Sequence, residues 1–94
     1  MAKSIKWLRK ALKSLEKAYD YIAREDAGAA IGVVLKIQVA TEQLAEFPEM
    51  GRAGRVERTR ELVISNSQYI VIYRVKGKTV EILRVLHSSK RYPD

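Results

Sequence analysis

The last third of the chain contains three apolar stretches whose separating segments are too short for any connection other than a hairpin. They are rich in Val, Ile and Tyr, and run from Thr59 to Ile64, Gln68 to Val75 and Lys78 to His87. The separating segments are Ser65-Asn66-Ser67 and Lys76-Gly77, and Asn and Gly favour the tight turns that join antiparallel strands. This part of the sequence therefore predicts a three-stranded antiparallel sheet.

The alternation of side chains along these strands predicts one buried face and one outer face. If the hairpins turn on Asn66-Ser67 and Lys76-Gly77, the core face carries Leu62, Ile64, Tyr69, Val71, Tyr73, Val80, Ile82 and Leu86. The opposite face then carries Glu61, Val63, Ile70, Ile72, Arg74, Glu81, Leu83, Val85 and His87. One additional residue in either hairpin would invert its partner strand, because the pleat repeats every two residues.

A short strand and two helices are predicted before the sheet. Ser4 to Leu8 alternates apolar and polar residues, which suits a strand or equally the lead-in to a helix. Asp26 is available as the N-cap of a second helix, expected from about Ala27 to Glu46, before Pro48. The first helix is predicted to present one apolar face, made of Leu8, Leu12, Leu15, Tyr19 and Ile22.

The second helix is apolar over most of its circumference, so it should be covered on more than one side. The first helix would cover one flank and the sheet another. The predicted fold is an α+β domain of residues 1–94, with a short N-terminal strand, a two-helix antiparallel hairpin and a three-stranded antiparallel sheet, in the order β-α-α-β-β-β. A chain of this length leaves no room for a second domain.

The chain is strongly basic, with a formal net charge of +7. This charge favours a nucleic-acid, anionic-membrane or acidic-protein partner. The sequence has no cysteine and one histidine, so it offers no disulfide or thiolate metal site, and we expect no metal or other cofactor. Its N-terminus has no apolar stretch of signal-peptide length, and no segment approaches the roughly 20 apolar residues that a membrane span needs, which predicts a cytoplasmic protein.

Arginines crowd the connection before the sheet and interrupt the strands themselves. Six of them lie in this region: Arg52, Arg55, Arg58, Arg60, Arg74 and Arg84. The first four could follow phosphates, bind acidic side chains of a partner, or remain as solvated surface. Arg60 and Arg74 lie between apolar strand residues, so each is expected to pair with a carboxylate such as Glu61 or Glu81.

The segments from Gly51 to Ile64, Tyr69 to Val75 and Val80 to His87 together resemble the RelE/ParE superfamily of bacterial toxins, over nearly the full chain. The resemblance implies a toxin of a type II toxin–antitoxin module, which serves plasmid stabilisation or growth arrest. It also implies a co-expressed acidic antitoxin that adds a strand to a sheet edge or lays a helix into an apolar groove. The residues expected to bind the target or the antitoxin are Arg52, Arg55, Arg58, Arg60, Arg74 and Lys90.

Two activities are open within the superfamily. In RelE-like members that cut messenger RNA, a base takes the 2′-hydroxyl proton, cations hold the phosphorane charge and an acid protonates the leaving oxygen. The residues that could supply these roles are His87, Arg84, Arg91 and Tyr92, and a histidine at a strand end followed by Arg and Tyr resembles the tail of members that cut messenger RNA with histidine chemistry. The other role open to His87 is structural, closing its strand through hydrogen bonds.

The basic residues of RelE-like nucleases are largely missing here. The stretch from Glu61 to Ser65 has no cation, and Ser88-Ser89 precede Lys90. This favours the ParE-like branch, whose members block DNA gyrase by binding and need no catalytic residue. A third possibility, outside the toxins, is a nucleic-acid-binding module whose basic sheet grips phosphate. The aromatic residues Trp7, Tyr19, Tyr21 and Phe47 are more typical of core or helix-flank positions than of base-stacking platforms.

Overall fold

The computed structural model describes residues 2–93, which form two helices and a five-stranded mixed sheet. The elements in chain order are β1 (Ser4–Trp7), α1 (Arg9–Ala23), α2 (Ala27–Gln43), β2 (Arg52–Ala53), β3 (Arg60–Val63), β4 (Tyr69–Lys76) and β5 (Thr79–His87). The strand order in the sheet is β1-β5-β4-β3-β2. The predicted α+β class, with a helical hairpin before an antiparallel meander, is confirmed.

Two edge strands extend the sheet beyond the three that the sequence predicts. β1 pairs with β5 in parallel, from Ser4 opposite Thr79 to Trp7 opposite Ile82. The N-terminal alternation is therefore a strand, and α1 begins two residues after it ends. β2 consists of two residues of the predicted arginine turn, and it pairs antiparallel with the start of β3.

The two tight hairpins of the sheet lie close to where the sequence predicts them. Val63 lies opposite Ile70, which is the register that a turn on Asn66-Ser67 gives. The second hairpin turns on Gly77-Lys78 rather than Lys76-Gly77, and Gly77 has a φ of +60°. A first turn residue with positive φ suits a type II′ turn, where glycine carries no steric penalty. The resulting shift of two residues leaves the predicted faces unchanged.

A bulge inside β5 changes which of its residues face the core. Tyr73 lies opposite Ile82 and Ile72 lies opposite Arg84, so Leu83 is the additional residue between them. An additional residue on one strand reverses the alternation of every side chain that follows it. The inversion of side-chain direction thus arises within a strand, so no turn residue in the sequence indicates it.

The bulge makes the predicted face wrong for the last residues of β5. Val85 belongs to the main core, between the sheet and the helices. Leu86 instead packs with Ile70 and Ile72 in a small apolar cluster on the other face of the sheet. His87 lies opposite Tyr69, a core residue, with the two rings edge to face and 5.4 Å between centroids. His87 is therefore on the helix side, contrary to the prediction.

Alanines rather than leucines bring α1 close to the sheet. Ala11 and Ala18 are buried, and Leu15 and Ile22 pack against the main core beside them. Leu12, which the spacing places on the buried face, is instead 52% exposed. The buried stripe is rotated towards the small side chains, because they allow the helix backbone to approach the strands.

The helix α2 has one buried side and one apolar side open to solvent. Asp26 caps it as predicted, accepting a hydrogen bond from the backbone N–H of Ala29 at 3.0 Å. It ends at Gln43, three residues earlier than predicted, and residues 44–46 form turns. The predicted cover by α1 and by the sheet is confirmed, since Ile37 packs in the main core with residues of α1 and of the strands. The outer face is left uncovered, and there the side chains of Ile31, Leu35 and Val39 are 52–57% exposed.

Neither helix within residues 2–93 has the length and the apolar character needed to cross a membrane.

Candidate functional site

The arginine-rich connection between α2 and β3 folds around one buried carboxylate. The side chain of Glu61, 2% exposed, accepts hydrogen bonds from the backbone N–H of Arg55 at 3.0 Å and from its Nε at 3.0 Å. Arg52 donates from Nη2 to the other carboxylate oxygen at 3.2 Å, and so does Nη2 of Arg55. Arg52 and Arg55, which the sequence predicted to bind a partner, are therefore already paired with a carboxylate of this chain.

The same contacts keep Glu61 ionised. Burial alone would raise the pKa of Glu61, but hydrogen bonds from the backbone and guanidinium of Arg55 and from the guanidinium of Arg52 outweigh it. They hold the pKa of this carboxyl below its usual range. Glu61 therefore stays negatively charged at neutral pH, and its charge holds the connection between α2 and β3 in place.

The pairing predicted for Arg60 is wrong, whereas the pairing predicted for Arg74 is confirmed. Arg60 has no carboxylate partner among residues 2–93 and donates from Nη1 to the carbonyl oxygen of Gly51 at 2.7 Å. Arg74 donates from Nε to Glu81 at 2.6 Å, and this hydrogen bond lowers the pKa of Glu81. Alternation explains the difference, because Arg60 and Glu61 are neighbours on one strand and point to opposite faces.

A buried tyrosine holds the start of the connection in place. Tyr73 donates its hydroxyl to the carbonyl oxygen of Pro48 at 2.7 Å and accepts the backbone N–H of Gly51 at 2.9 Å. Burial raises the pKa of Tyr73, so the hydroxyl stays protonated and can donate. A Cβ at Gly51 would lie 2.7 Å from the Tyr73 ring, so the close approach requires glycine here.

His87 has both ring nitrogens occupied by neighbouring groups. Its Nε2 lies 2.7 Å from the side-chain oxygen of Gln68, an acceptor, so Nε2 carries the proton. Its Nδ1 then accepts, from the backbone N–H of Ser89 at 3.1 Å and from the Ser89 hydroxyl at 2.7 Å. These bonds tie the end of β5 to the start of β4 and to the tail, which matches the structural role considered for this residue.

The other residues assigned to RNA cleavage do not converge on His87. Arg84 lies on the opposite side of β5, with its guanidinium carbon 5.8 Å from the centroid of the Tyr92 ring. Tyr92 packs against the small apolar cluster on that face. Arg91 is exposed in the tail. The four residues are thus near in sequence but divided between the two faces of the sheet.

An apolar groove runs between α2 and β3. Leu35 and Val39 form its helix side, and Met50 and Val63 lie across from them. Each of these four side chains is at least 43% exposed. The sequence predicted an apolar helix but gave no sign that this side of it would remain uncovered. β2 pairs with only Arg60 and Glu61 of β3, so the rest of that strand borders the groove.

Within residues 2–93, no three His, Cys, Asp or Glu side chains lie close enough together to hold a metal ion.

Three of the predicted partner-binding cations, Arg52, Arg55 and Arg74, are engaged with carboxylates. Arg58 is exposed, with a φ of 67°, and Lys90 is exposed in the tail.

Relatives of known type match almost the whole chain. Residues 5–92 match the family model described as ParE toxin of type II toxin-antitoxin system, parDE. The candidate toxin Y4kP of Sinorhizobium fredii is 43% identical over 91 residues, which are 97% of this chain and 94% of Y4kP. Toxin RelE2 of Caulobacter vibrioides is 34% identical over 84 residues, 89% of this chain and 93% of that protein.

Solved structures show the same architecture. A chain of the chromosomal ParDE TA system from P. aeruginosa aligns with a TM-score of 0.81 and 30% identity, covering 92% of this chain and 96% of that one. A chain of the toxin–antitoxin complex RelBE2 from Mycobacterium tuberculosis aligns with a TM-score of 0.62 and 23% identity, covering 93% and 99%. Proteins named ParE and proteins named RelE are both among the relatives, so their names do not separate the two activities.

Proposed function

The chain belongs to the ParE toxin family of type II toxin–antitoxin systems, and we propose that it arrests growth by binding DNA gyrase and is neutralised by a cognate antitoxin. Membership of the RelE/ParE superfamily, expected from the sequence, is thereby confirmed. Inhibition by binding requires no catalytic residue in the toxin. The proposal also implies that the protein acts in the cytoplasm, where gyrase and its DNA are.

One observation carries the preference for gyrase over messenger RNA. His87 is the only histidine of the sequence, and both of its nitrogens are hydrogen-bonded within the protein. A general base must reach the proton that it abstracts and must be joined by groups that stabilise the developing charge. The guanidinium of Arg84 and the ring of Tyr92 lie on the other face of the sheet from His87, so residues 2–93 contain no assembled set of base, cation and acid.

The alternative is an endoribonuclease of RelE type that uses His87 with Arg84, Arg91 and Tyr92. It is favoured by the similarity to toxin RelE2, which covers 89% of this chain. In this alternative, the tail must rearrange on the ribosome to bring its residues to His87. Gyrase inhibition and RNA cleavage predict different effects of the same variant, His87→Ala.

The antitoxin is proposed to bind the apolar groove between α2 and β3. Such a groove accepts an amphipathic helix or an added strand, and β3 offers a free edge beyond its short pairing with β2. A net charge of +7 favours an acidic partner. The similar chain from P. aeruginosa is part of a ParDE TA system, which supports a partner of this kind.

The first experiment measures supercoiling by purified gyrase in the presence of the protein, beside incubation with free messenger RNA and with translating ribosomes. We expect supercoiling to be inhibited, with cleaved DNA trapped on the enzyme, and the RNA to stay intact. The His87→Ala variant should inhibit gyrase to within about threefold of the parent, because a binding toxin loses only a local contact. A nuclease that depends on His87 should lose about 100-fold or more of its activity.

Cut RNA together with unaffected gyrase would show that the gyrase proposal is wrong. In that outcome Arg84→Ala and Tyr92→Phe would be the next variants. If neither activity appears although expression still stops growth, the target lies elsewhere.

A further inference from the structure

A hollow of about 450 Å³ lies between α1 and the second half of β5. It exists because β1 ends at Trp7, opposite Ile82, and within residues 2–93 no other strand pairs with that side of β5 from there on. The helix α1 covers part of this gap, and its Ser14 hydroxyl accepts the backbone N–H of Val85 at 2.8 Å. The rest of the gap remains open to solvent.

The lining of this hollow is basic, and none of the residues 2–93 that form it is an Asp or Glu. Its lining cations are Lys10, Lys13, Lys17 and Lys90, beside His87. Arg84 also borders the hollow, but its guanidinium lies near Tyr92 on the other face of β5. The three salt bridges found within residues 2–93 involve none of them. We call this surface the basic hollow. It differs from the arginine-rich connection, where Glu61 already neutralises two of the cations.

Three of the lysines form a row on one face of α1. Lys10, Lys13 and Lys17 are spaced by three and four residues, so they project on the same side of the helix. A rise of 1.5 Å per residue separates the first from the last by roughly 10 Å along the axis. Three like charges in a row repel one another, and the row is stabilised when anions lie along it.

A row of point charges suits a ligand whose negative charges are evenly spaced and continuous, as the phosphates of a nucleic acid are. Lysine ammonium groups bind phosphate as point charges, without the planar fork with which arginine matches a carboxylate. Tyr21, one turn beyond Lys17, also lines the hollow and is 65% exposed, so an aromatic face is available to an unpaired base.

We propose that the basic hollow binds the phosphodiester backbone of a nucleic acid, with Lys10, Lys13 and Lys17 on successive phosphates and Lys90 on the β5 side. This site is separate from the apolar groove between α2 and β3. It goes beyond the gyrase proposal, because it predicts contact with nucleic acid in the absence of gyrase.

The test is a fluorescence-anisotropy titration of the purified full-length protein with a short labelled DNA duplex and with a labelled single-stranded RNA of equal length, over a range of NaCl concentrations. The variant replaces the row: Lys10→Gln, Lys13→Gln and Lys17→Gln. Glutamine keeps the helix propensity of lysine and removes only the charge. The matched control removes three exposed lysines outside the hollow: Lys36→Gln, Lys76→Gln and Lys78→Gln.

We expect the row variant to lose at least about tenfold in affinity at low salt, with a log–log salt slope smaller by about three. The control should lose less than about threefold, since its lysines act only through the net charge. The two probes distinguish a duplex ligand from a single-stranded one. Both variants should keep the melting temperature of the parent, which shows that the loss does not come from unfolding.

The proposal is wrong if the two variants lose affinity equally, because the attraction is then diffuse, or if the row variant binds both probes as the parent does. Labelled polyglutamate is titrated in the same way as a third probe. If the row variant binds both nucleic acids as the parent does but no longer binds polyglutamate, the hollow takes an acidic protein instead. None of these outcomes bears on gyrase inhibition, which the supercoiling assay decides by itself.

Discussion

At the scale of single residues, the cations of this protein fall into two groups that the sequence does not separate. The arginines around β2 converge on Glu61, which is 2% exposed and accepts four hydrogen bonds from them. The lysines of α1 line a surface to which residues 2–93 contribute no carboxylate. The first group therefore stabilises the fold, whereas the second is available to a ligand.

Replacing Glu61 by glutamine should destabilise the protein by about 2 kcal/mol near neutral pH, because an amide cannot accept charge-assisted bonds at both of its ends. The measurement is urea unfolding of the parent and of Glu61→Gln. The control is Glu57→Gln, an exposed carboxylate of the same connection, which should change the free energy of unfolding by less than about 0.5 kcal/mol. Similar losses in both variants would show that Glu61 does not organise the connection.

Acid should remove this contribution of Glu61. Its folded-state pKa is depressed, so the stabilisation is fully present above the unfolded-state pKa, which is about 4.3. It is lost as the pH falls through the lower, folded-state pKa. We therefore expect the difference in free energy of unfolding between the parent and Glu61→Gln to become smaller as the pH falls from about 5 to about 2. A gap that stays constant over this range would contradict the depressed pKa.

At the scale of elements, the join between α1 and β5 depends on where β1 stops. Beyond Ile82 the open side of β5 presents backbone groups with no strand to pair with, and Ser14 supplies a hydroxyl to one of them. The same hydroxyl donates to the carbonyl oxygen of Ala11 at 2.9 Å. A single side chain thus connects a helix turn to a strand, and the buried Ala11 and Ala18 allow the close approach that it needs.

The Ser14→Ala variant should leave the amide of Val85 without a partner, and we expect a loss of about 1 kcal/mol in stability after the gain in helix propensity. The direct readout is hydrogen exchange at Val85, which should become roughly tenfold faster. The amide of Ile72, in the centre of the sheet, serves as the reference within the same protein. Exchange that accelerates equally at both amides would indicate global destabilisation rather than loss of this contact.

At the scale of the whole molecule, two surfaces of different chemistry lie on different elements. The apolar groove between α2 and β3 has four large exposed side chains, and the basic hollow lies beside α1 and β5. Large exposed apolar patches mark sites of protein association. A partner that occupies the groove would leave the lysine row free, unless it also extends across the helical hairpin.

Charges placed in the groove should weaken antitoxin binding without unfolding the toxin. Leu35→Asp with Val39→Asp should lower the affinity for the cognate antitoxin by at least about tenfold, because the aspartates buried by the antitoxin would lack partners. Both positions are more than half exposed, so stability should fall by less than about 1 kcal/mol. In cells, the variant should still stop growth and should no longer be rescued by the antitoxin.

The matched control is Leu12→Asp with Val75→Asp, which lie outside the groove and are 52% and 40% exposed. The control should be rescued like the parent. Full rescue of the groove variant would place the antitoxin on another surface.

Local patterns in the sequence were sufficient for both helices, four of the five strands and the α+β class, because helices, caps and tight turns depend on residues that are close together in the chain. Asp26 caps its helix and Gly77 enables its hairpin for reasons contained within a few residues. The family was also recognisable from the order of short segments. Contacts between residues that are distant in sequence could not be predicted in this way.

Which charges pair and which faces meet depended on the packing of the whole chain. The bulge at Leu83 moves Val85 and His87 to the helix side, and no turn residue reports it. Glu61 binds Arg52 and Arg55 rather than its neighbour Arg60, because adjacent strand residues point to opposite faces. The basic hollow depends on the parallel pairing of β1 with β5, across more than 70 residues of chain, and on the point where that pairing ends. Periodicity describes the faces of each element, but the position where one element stops covering another is a property of the packed molecule.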